Sequence, residues 1–391
     1  MAEKIALPPY ETVALVLQGG GALGAYQAGV FEGMQEADIP LNRLAGISIG
    51  ALNTAIIAGN PPGRRLEKLR EFWETICQPN LPFMALPAQL DHTIFHMNDA
   101  SKQWLGHMNA GRAIVDGQKG FFSPRVPAPV FSFMHNAPTE TSLYRIDALK
   151  DTLERLCDFD RINGSDLHVS VGAVNVRNGN FVYFDNRKTR LRAEHFMASG
   201  ALPPAFPAVE IDGEYYWDGG LVSNTPLGDV LQQRPMRDTL VFQVDLWSAR
   251  GAAPTNIGEV SDRMQDIRFS SRTRFVTDHF RQSLELRHLL HRMLQDMPEE
   301  VRARADYAEL AEAVSTARRY NVIHLIFRNQ PHDLHYKDHQ FGLASMRDHW
   351  QRGLEDIRKT LSDPERLAMP DPDIGFVTHD VHREELDDRM G

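Results

Sequence analysis

Cysteine is nearly missing. Cys77 and Cys157 are the only two in 391 residues, far apart and in no CxxC pair. That leaves no disulfide framework and no thiolate metal cluster, and a reducing cytoplasm is the expected compartment. Excess positive charge is also lacking. A net charge of −10 and a pI near 5.9 argue against nucleic acid as a partner and against general attraction to anionic surfaces, leaving only local patches to act there. No apolar stretch approaches the ~20 residues that span a bilayer. Met1 to Tyr10 carries no basic-plus-apolar export signal. What is present is 42% hydrophobic residues, enough core for one large α/β domain or one domain with an appendage.

The chain is organised around Val13 to Gly59. Val13 to Leu17 is a short apolar run that ends at glycine, which suits a buried parallel strand. Gly19, Gly20 and Gly21 follow, then a helical pattern. A loop entering a helix there leaves backbone N–H groups unpaired, reinforced by the helix dipole. Such a spot holds negative charge, either a phosphate or the oxyanion of a tetrahedral intermediate. A second apolar run ends in Gly46-Ile47-Ser48-Ile49-Gly50, just before the helical run Ala51 to Ala58. This is GxSxG, where small neighbours let a strained turn present a hydroxyl outward. The glycines through Gly24 also fit the dinucleotide pattern GxGxxG. That reading needs an acidic residue at the end of the second strand, where this chain has Ser48.

A nucleophilic serine needs a base. Downstream, Asp218-Gly219-Gly220 sits where a tight turn at a strand end could aim a carboxylate across a cleft. A lone DGG is more often an ordinary turn. Together, the glycine loop, GxSxG and DGG occur in the order found in the patatin-like phospholipases, and the chain resembles that family from about Val13 to Trp247. The small-residue and proline segment Ser199 to Pro207, and Asn224 with Pro226, add to the likeness. Many family members carry Asp or Ser before the glycines; this chain has Gln18, which bears on substrate preference more than on chemistry.

The resemblance implies an α/β three-layer sandwich with a mostly parallel central sheet. It implies a catalytic dyad of Ser48 and Asp218 without histidine, and carboxylic ester hydrolysis on lipids. The oxyanion hole would come from Gly19, Gly20, Gly21, Ala22 and Gly24. Gly46, Gly50, Gly219 and Gly220 would shape the elbow and the turn. No cofactor or metal is expected. A lipid substrate would be met as monomers or by peripheral contact with a membrane.

Outside the motifs, Arg64 to Cys77 and Ile146 to Leu156 read as amphipathic helices. Residues 78–136 interleave six prolines with Phe83, Met84, Phe95, Trp104, Phe121, Phe122, Phe131 and Phe133. The expectation is an irregular apolar segment over a cleft, serving either as a lid or acyl-binding wall or as plain packing between elements. His168 to Val174 and Phe181 to Phe184 flank an Asn-Gly hairpin signal, and Val209 to Trp217 forms a second hairpin that delivers Asp218. Thr239 to Trp247 reads as a buried strand. The main domain is taken as 10–250, and 251–391 as a mostly helical extension. In the extension, one or two long arginine-rich helices over Ile257 to Leu294 present either a solvated face or a membrane- or partner-binding one. Val301 to Arg319 and Phe341 to Leu361 read as further helices, and a late strand at 321–328 joins the core. The tail from Asp363 reads as poorly ordered. His324, His332, His335 and His339 crowd one stretch without zinc-ligand spacing.

Two other readings stay open. One is a Ser–His–Asp α/β-hydrolase, although there the oxyanion loop and the nucleophile are not consecutive elements. An aspartate base would be separable from a histidine base by a lower acid limb in the pH profile, from reference values of ~3.9 and ~6.5. The other is a non-catalytic lipid- or protein-binding module on the same fold.

Overall fold

A computed structural model describes residues 5–81, 86–126, 137–304, 307, 315–330 and 337–380. The opening unit folds as its apolar pattern requires. Strand β1 (Thr12–Leu17) leads through the glycine loop into helix α1 (Ala25–Glu36), then β2 (Arg43–Gly46) and α2 (Ile49–Ala58). Helices α3 (Arg65–Ile76), α4 (Ala88–Phe95) and α5 (Asp99–Asp116) follow. A small antiparallel pair, β3 (Ser123–Pro124) and β4 (Tyr144–Arg145), precedes α6 (Asp147–Leu156) and α7 (Phe159–Gly164). Next come β5 (His168–Asn175), β6 (Phe181–Asp185), α8 (Ala193–Ser199), β7 (Val209–Ile211) and β8 (Glu214–Asp218). The chain continues with α9 (Leu227–Leu231), β9 (Thr239–Asp245), α10 (Ile257–Asp296), α11 (Glu299–Arg302), β10 (Tyr320–Ile326), α12 (Leu343–Leu361) and β11 (Phe376–Asp380).

One mixed sheet runs β11-β10-β9-β1-β2-β5-β8-β7, with β6 also paired to β5. Six strands, from β11 to β5, are mutually parallel; β6 and β8 run antiparallel to β5. Helices cover both faces, which explains why β1 is buried at every position and apolar from Val13 to Leu17. Leu15 and Leu17 pack with α1 and α2 on one side, while Ala14 and Val16 pack with Leu227 and Val230 of α9 and Leu284 of α10 on the other. The three-layer architecture is therefore present.

The later part of the chain is tied into this core. β10 and β11 extend the sheet, and α12 lies against α1. The contact is close enough that a β-carbon on Gly29 would overlap the Trp350 carbonyl, and one on Gly353 would overlap the Tyr26 carbonyl. Only glycines permit this approach of two helix backbones.

Several expectations change. Among the described residues of 78–136, α4 and α5 form regular helices where an irregular segment was expected, and Asn98 caps α5 by accepting from the Ser101 N–H. The helical periodicity of α5 was obscured by prolines that lie outside it. Phe83, Met84, Phe131 and Phe133 lie outside the described residues. The tail expected to be poorly ordered supplies the edge strand β11, whose backbone pairs in register with β10. Of the helix expected over Val301 to Arg319, α11 ends at Arg302 and 315–319 is not helical; most of the rest lies outside the described residues. Two of the α10 arginines contact their own chain: Arg263 donates to the Ser248 carbonyl, and Arg281 stands over the Phe376 ring.

Candidate active site

The turn after β2 is strained. Ser48 has φ 55° and ψ −125°, a left-handed backbone that costs a non-glycine residue on the order of 1–3 kcal/mol. It is held there from outside. The Ser48 N–H donates to both the carbonyl and the hydroxyl of Ser199, each at 3.1 Å, and the Ser199 hydroxyl donates to the Gly172 carbonyl at 2.7 Å. Gly46 and Gly50 are packed so closely that a β-carbon on Gly46 would sit 2.5 Å from the Gly50 carbonyl oxygen. The Ser48 side chain is thereby pushed out of the turn into a cleft.

Asp218 reaches the same cleft from the opposite direction. It ends β8, which runs antiparallel to β5 and pairs Asp218 with Ala173. The side chain is buried at 2% exposure. One carboxylate oxygen accepts the Gly220 N–H at 2.7 Å, and the carboxylate faces the same cleft as the Ser48 side chain. Burial raises its pKa from an ordinary 3.8 to about 7, against the opposing pull of the Gly220 N–H and Ser48.

The glycine loop closes the third side. Gly19 is fully engaged: its N–H donates to the Asn224 carbonyl at 3.2 Å, and its carbonyl accepts from Asn224 Nδ2 at 3.0 Å and Trp247 Nε1 at 2.7 Å. Gly21 has φ 55° and lies against the Asp338 carbonyl, so glycine is required there. Among the described residues, the N–H groups of Gly20 and Gly21 have no backbone or side-chain acceptor. Gly19, Gly20 and Gly21 line the cleft beside Ser48 and Asp218, whereas Ala22 and Gly24 do not. Gly24 packs instead on Ile49, and its carbonyl accepts from Asn53. The first turn of the helix thus narrows the oxyanion candidates to Gly20 and Gly21.

Gln18 is structural. Its side-chain oxygen accepts the Leu246 and Trp247 N–H groups at 2.6 and 3.0 Å, and its nitrogen donates to Thr225 at 2.8 Å. It anchors the root of the glycine loop to the end of β9 and does not line the cleft.

The cleft encloses about 860 Å³, open solvent at its mouth included. Its apolar walls come from Ile114, Phe121, Phe122, Phe206, Trp247 and Phe341. Phe121 and Phe122 belong to the segment read as a lid or acyl wall. Ser199, Trp247 and Phe341 were not singled out as site residues in the sequence. Ser199 and Trp247 act through backbone contacts, which leave no motif. His339 also lines the cleft, paired with Asp338 at 2.9 Å. Burial would lower its pKa, but the Asp338 carboxylate outweighs this and holds it above the ordinary imidazole value. His324 lies elsewhere, 2.5 Å from Asp245. His332 and His335 lie outside the described residues, and among the described residues no group of side chains is arranged to hold a metal.

A family model described as patatin-like phospholipase matches residues 15–231, and one described as patatin phospholipase matches residues 267–373. Lysophospholipase nte1 of Aspergillus terreus is 51% identical over 47 residues, which is 12% of this chain and 3% of that protein. Neuropathy target esterase sws of Drosophila persimilis is 49% identical over 45 residues, 12% and 3% of the two chains. The chain therefore spans only a small fraction of the curated relatives it matches. Among solved structures, VipD from Legionella pneumophila aligns over 91% of this chain and 67% of that one, with 15% identity and a TM-score of 0.37. Human GIVD cytosolic phospholipase A2 aligns over 91% and 60%, with 12% identity and a TM-score of 0.35.

Proposed function

The chain belongs to the patatin-like phospholipase family, and from that premise we propose that it hydrolyses carboxylic esters of lipids, with Ser48 as nucleophile and Asp218 as base. The observation that carries this reading is that Ser48, the buried Asp218 carboxylate and the unpaired Gly20 and Gly21 N–H groups meet in one apolar cleft.

The chemistry runs in two steps. Asp218 takes the Ser48 proton as the oxygen attacks the ester carbonyl. The negative charge that develops on the carbonyl oxygen is met by the Gly20 and Gly21 N–H groups. As the tetrahedral adduct collapses, the proton on Asp218 passes to the departing alkoxide, leaving an acyl-enzyme. Water then attacks that ester, giving its proton to Asp218, and Ser48 is released with the fatty acid. A carboxylate is a weak base for a hydroxyl, so burial helps by bringing its pKa close to 7. Each oxyanion donor contributes roughly 10²–10³ in rate. The aromatic walls suit an acyl chain, which gains ~0.8 kcal/mol per buried methylene.

The cellular setting is part of the same reading. Cys77 and Cys157 are buried free thiols, in keeping with a reducing cytoplasm. The substrate is a lipid met as monomers or at a membrane, and no nucleic acid takes part.

A histidine base is the competing reading, since His339 lines the same cleft. Asp218 is favoured because its buried carboxylate lies close enough to Ser48 for that side chain to influence its ionisation, whereas His339 is paired with Asp338. The deciding experiment is a panel of short-chain and lipid esters against wild type, Ser48→Ala, Asp218→Asn and His339→Gln, with fluorophosphonate labelling in parallel. Ser48→Ala should lose labelling and about 10⁴ of turnover. Asp218→Asn should lose a comparable share, and His339→Gln should keep most of it. Labelling of wild type that survives in Ser48→Ala would overturn the assignment. Tight acyl-chain binding with no labelling would favour a non-catalytic module.

A further inference from the structure

The apolar surface of the cleft continues outward across α5. This helix buries Leu105, Ala110 and Ala113 on one side, as a packed helix must. Its other side is also apolar. Trp104, Met108 and Val115 recur at spacings of four and seven residues, so they share one face, and they are 52%, 53% and 69% exposed. A helix that is apolar on both sides is buried on both sides in its working state, or it faces something other than water. Ile114, beside Val115, lines the catalytic cleft. Its carbonyl accepts the Tyr144 hydroxyl at 2.8 Å, which brings the exposed Leu143 to the same rim. The outer stripe and the inner wall are therefore one continuous apolar surface.

Charge distinguishes this region from the rest of the molecule. From the start of α5, residues 99–126 hold four cations, Lys102, Arg112, Lys119 and Arg125, against two acids, Asp99 and Asp116, in a chain whose net charge is −10. Asp116 is buried. The aromatic at the N-terminal end of the stripe is tryptophan, the side chain that favours the boundary between headgroups and acyl chains.

We propose that the outer face of α5 seats on an anionic lipid bilayer and brings the cleft mouth to the membrane surface. The proposal rests on the hydrolase reading above, because the cleft it adjoins is the one that would receive the acyl chain. A lipid leaving the bilayer along Val115 and Ile114 would pass from one apolar surface to the next without crossing water. Seating would combine insertion of three apolar side chains with attraction between the local cations and anionic headgroups, so it should weaken with salt.

The test uses full-length Ser48→Ala protein, so that lipid is not consumed, with sedimentation on phosphatidylglycerol and phosphatidylcholine vesicles. Binding should be stronger on phosphatidylglycerol and should fall at high salt. Adding Trp104→Gln, Met108→Gln and Val115→Gln should reduce the partition coefficient roughly tenfold or more. In the active background the same three substitutions should leave soluble short-chain ester turnover unchanged, because none of these side chains lines the cleft. No binding to phosphatidylglycerol, or equal binding by the triple variant, would overturn the proposal. So would a vesicle-free dimer that the triple variant abolishes, which would assign the face to a second copy of the chain. Failure of the hydrolase reading has a separate signature: soluble ester turnover that survives Ser48→Ala, whatever the vesicles show.

Discussion

Gly19 and Asn224, 205 residues apart, exchange two hydrogen bonds: the Gly19 N–H donates to the Asn224 carbonyl, and Asn224 Nδ2 donates to the Gly19 carbonyl. This clamp sets the start of the glycine loop, and with it the direction of the two N–H groups that follow. Asn224→Ala removes one of the two bonds and loosens the loop. The expected outcome is a fall in kcat of about 10–10²-fold with little change in KM, since an oxyanion donor acts mainly in the transition state. Steady-state kinetics on a soluble ester checks this; a change confined to KM would contradict it.

Asp218 fixes the pH dependence. Its carboxylate must be ionised to accept the serine proton, and burial holds its pKa near 7. Turnover should therefore rise with pH through about 7 and level off above it. This removes a distinction expected from the sequence, where an aspartate base promised a lower acid limb than a histidine. In this site the raised Asp218 value reaches the ordinary imidazole range, so an acid limb near 7 does not by itself identify the base. His339→Gln with an unchanged acid limb, measured as log kcat/KM against pH, is the discriminating result.

The same burial carries a stability cost. The folded state holds the Asp218 proton more tightly than the unfolded chain, so the protein loses stability as pH rises from about 4 to about 7. Asp218→Asn can still accept from Gly220 without carrying a charge. It should be no more stable than wild type near pH 4 and more stable above pH 7, by up to about 4 kcal/mol. Denaturant melts at the two pH values give the difference; an advantage independent of pH would refute it.

Ser48 is held in a backbone conformation that glycine adopts freely. Ser48→Gly should raise stability by about 1 kcal/mol, whereas Ser48→Ala should not, although both are inactive. Urea midpoints for the pair separate backbone strain from loss of the hydroxyl.

What the sequence disclosed was local. The strand–glycine–helix unit, GxSxG, both hairpins and the late strand have short-range signatures of periodicity and turn chemistry, and the structure has them at or near the expected positions. What it withheld was long-range. Gln18 read as a variable position near the substrate, but its four polar contacts lie on residues more than 200 positions away. Ser199 read as part of a small-residue segment, yet it holds the Ser48 backbone. The Asp218 pKa could not be inferred from DGG, because it depends on how completely other elements exclude water. β11 is short and follows a proline-rich stretch, so only its pairing with β10 identifies it as a strand.

The backbone contact between α1 and α12 means that the two family matches do not describe separable parts. A chain ended at residue 231, where the first match stops, would leave Gly29 and Gly33 as a bare furrow along α1 and would strip β9 and β10 from the sheet edge beside β1. The helix that follows the glycine loop would lose the neighbour that fixes its tilt. Expression of the first half alone should give aggregation, while supplying both halves as separate polypeptides could restore the molecule, because the furrow itself is the instruction for their reassembly.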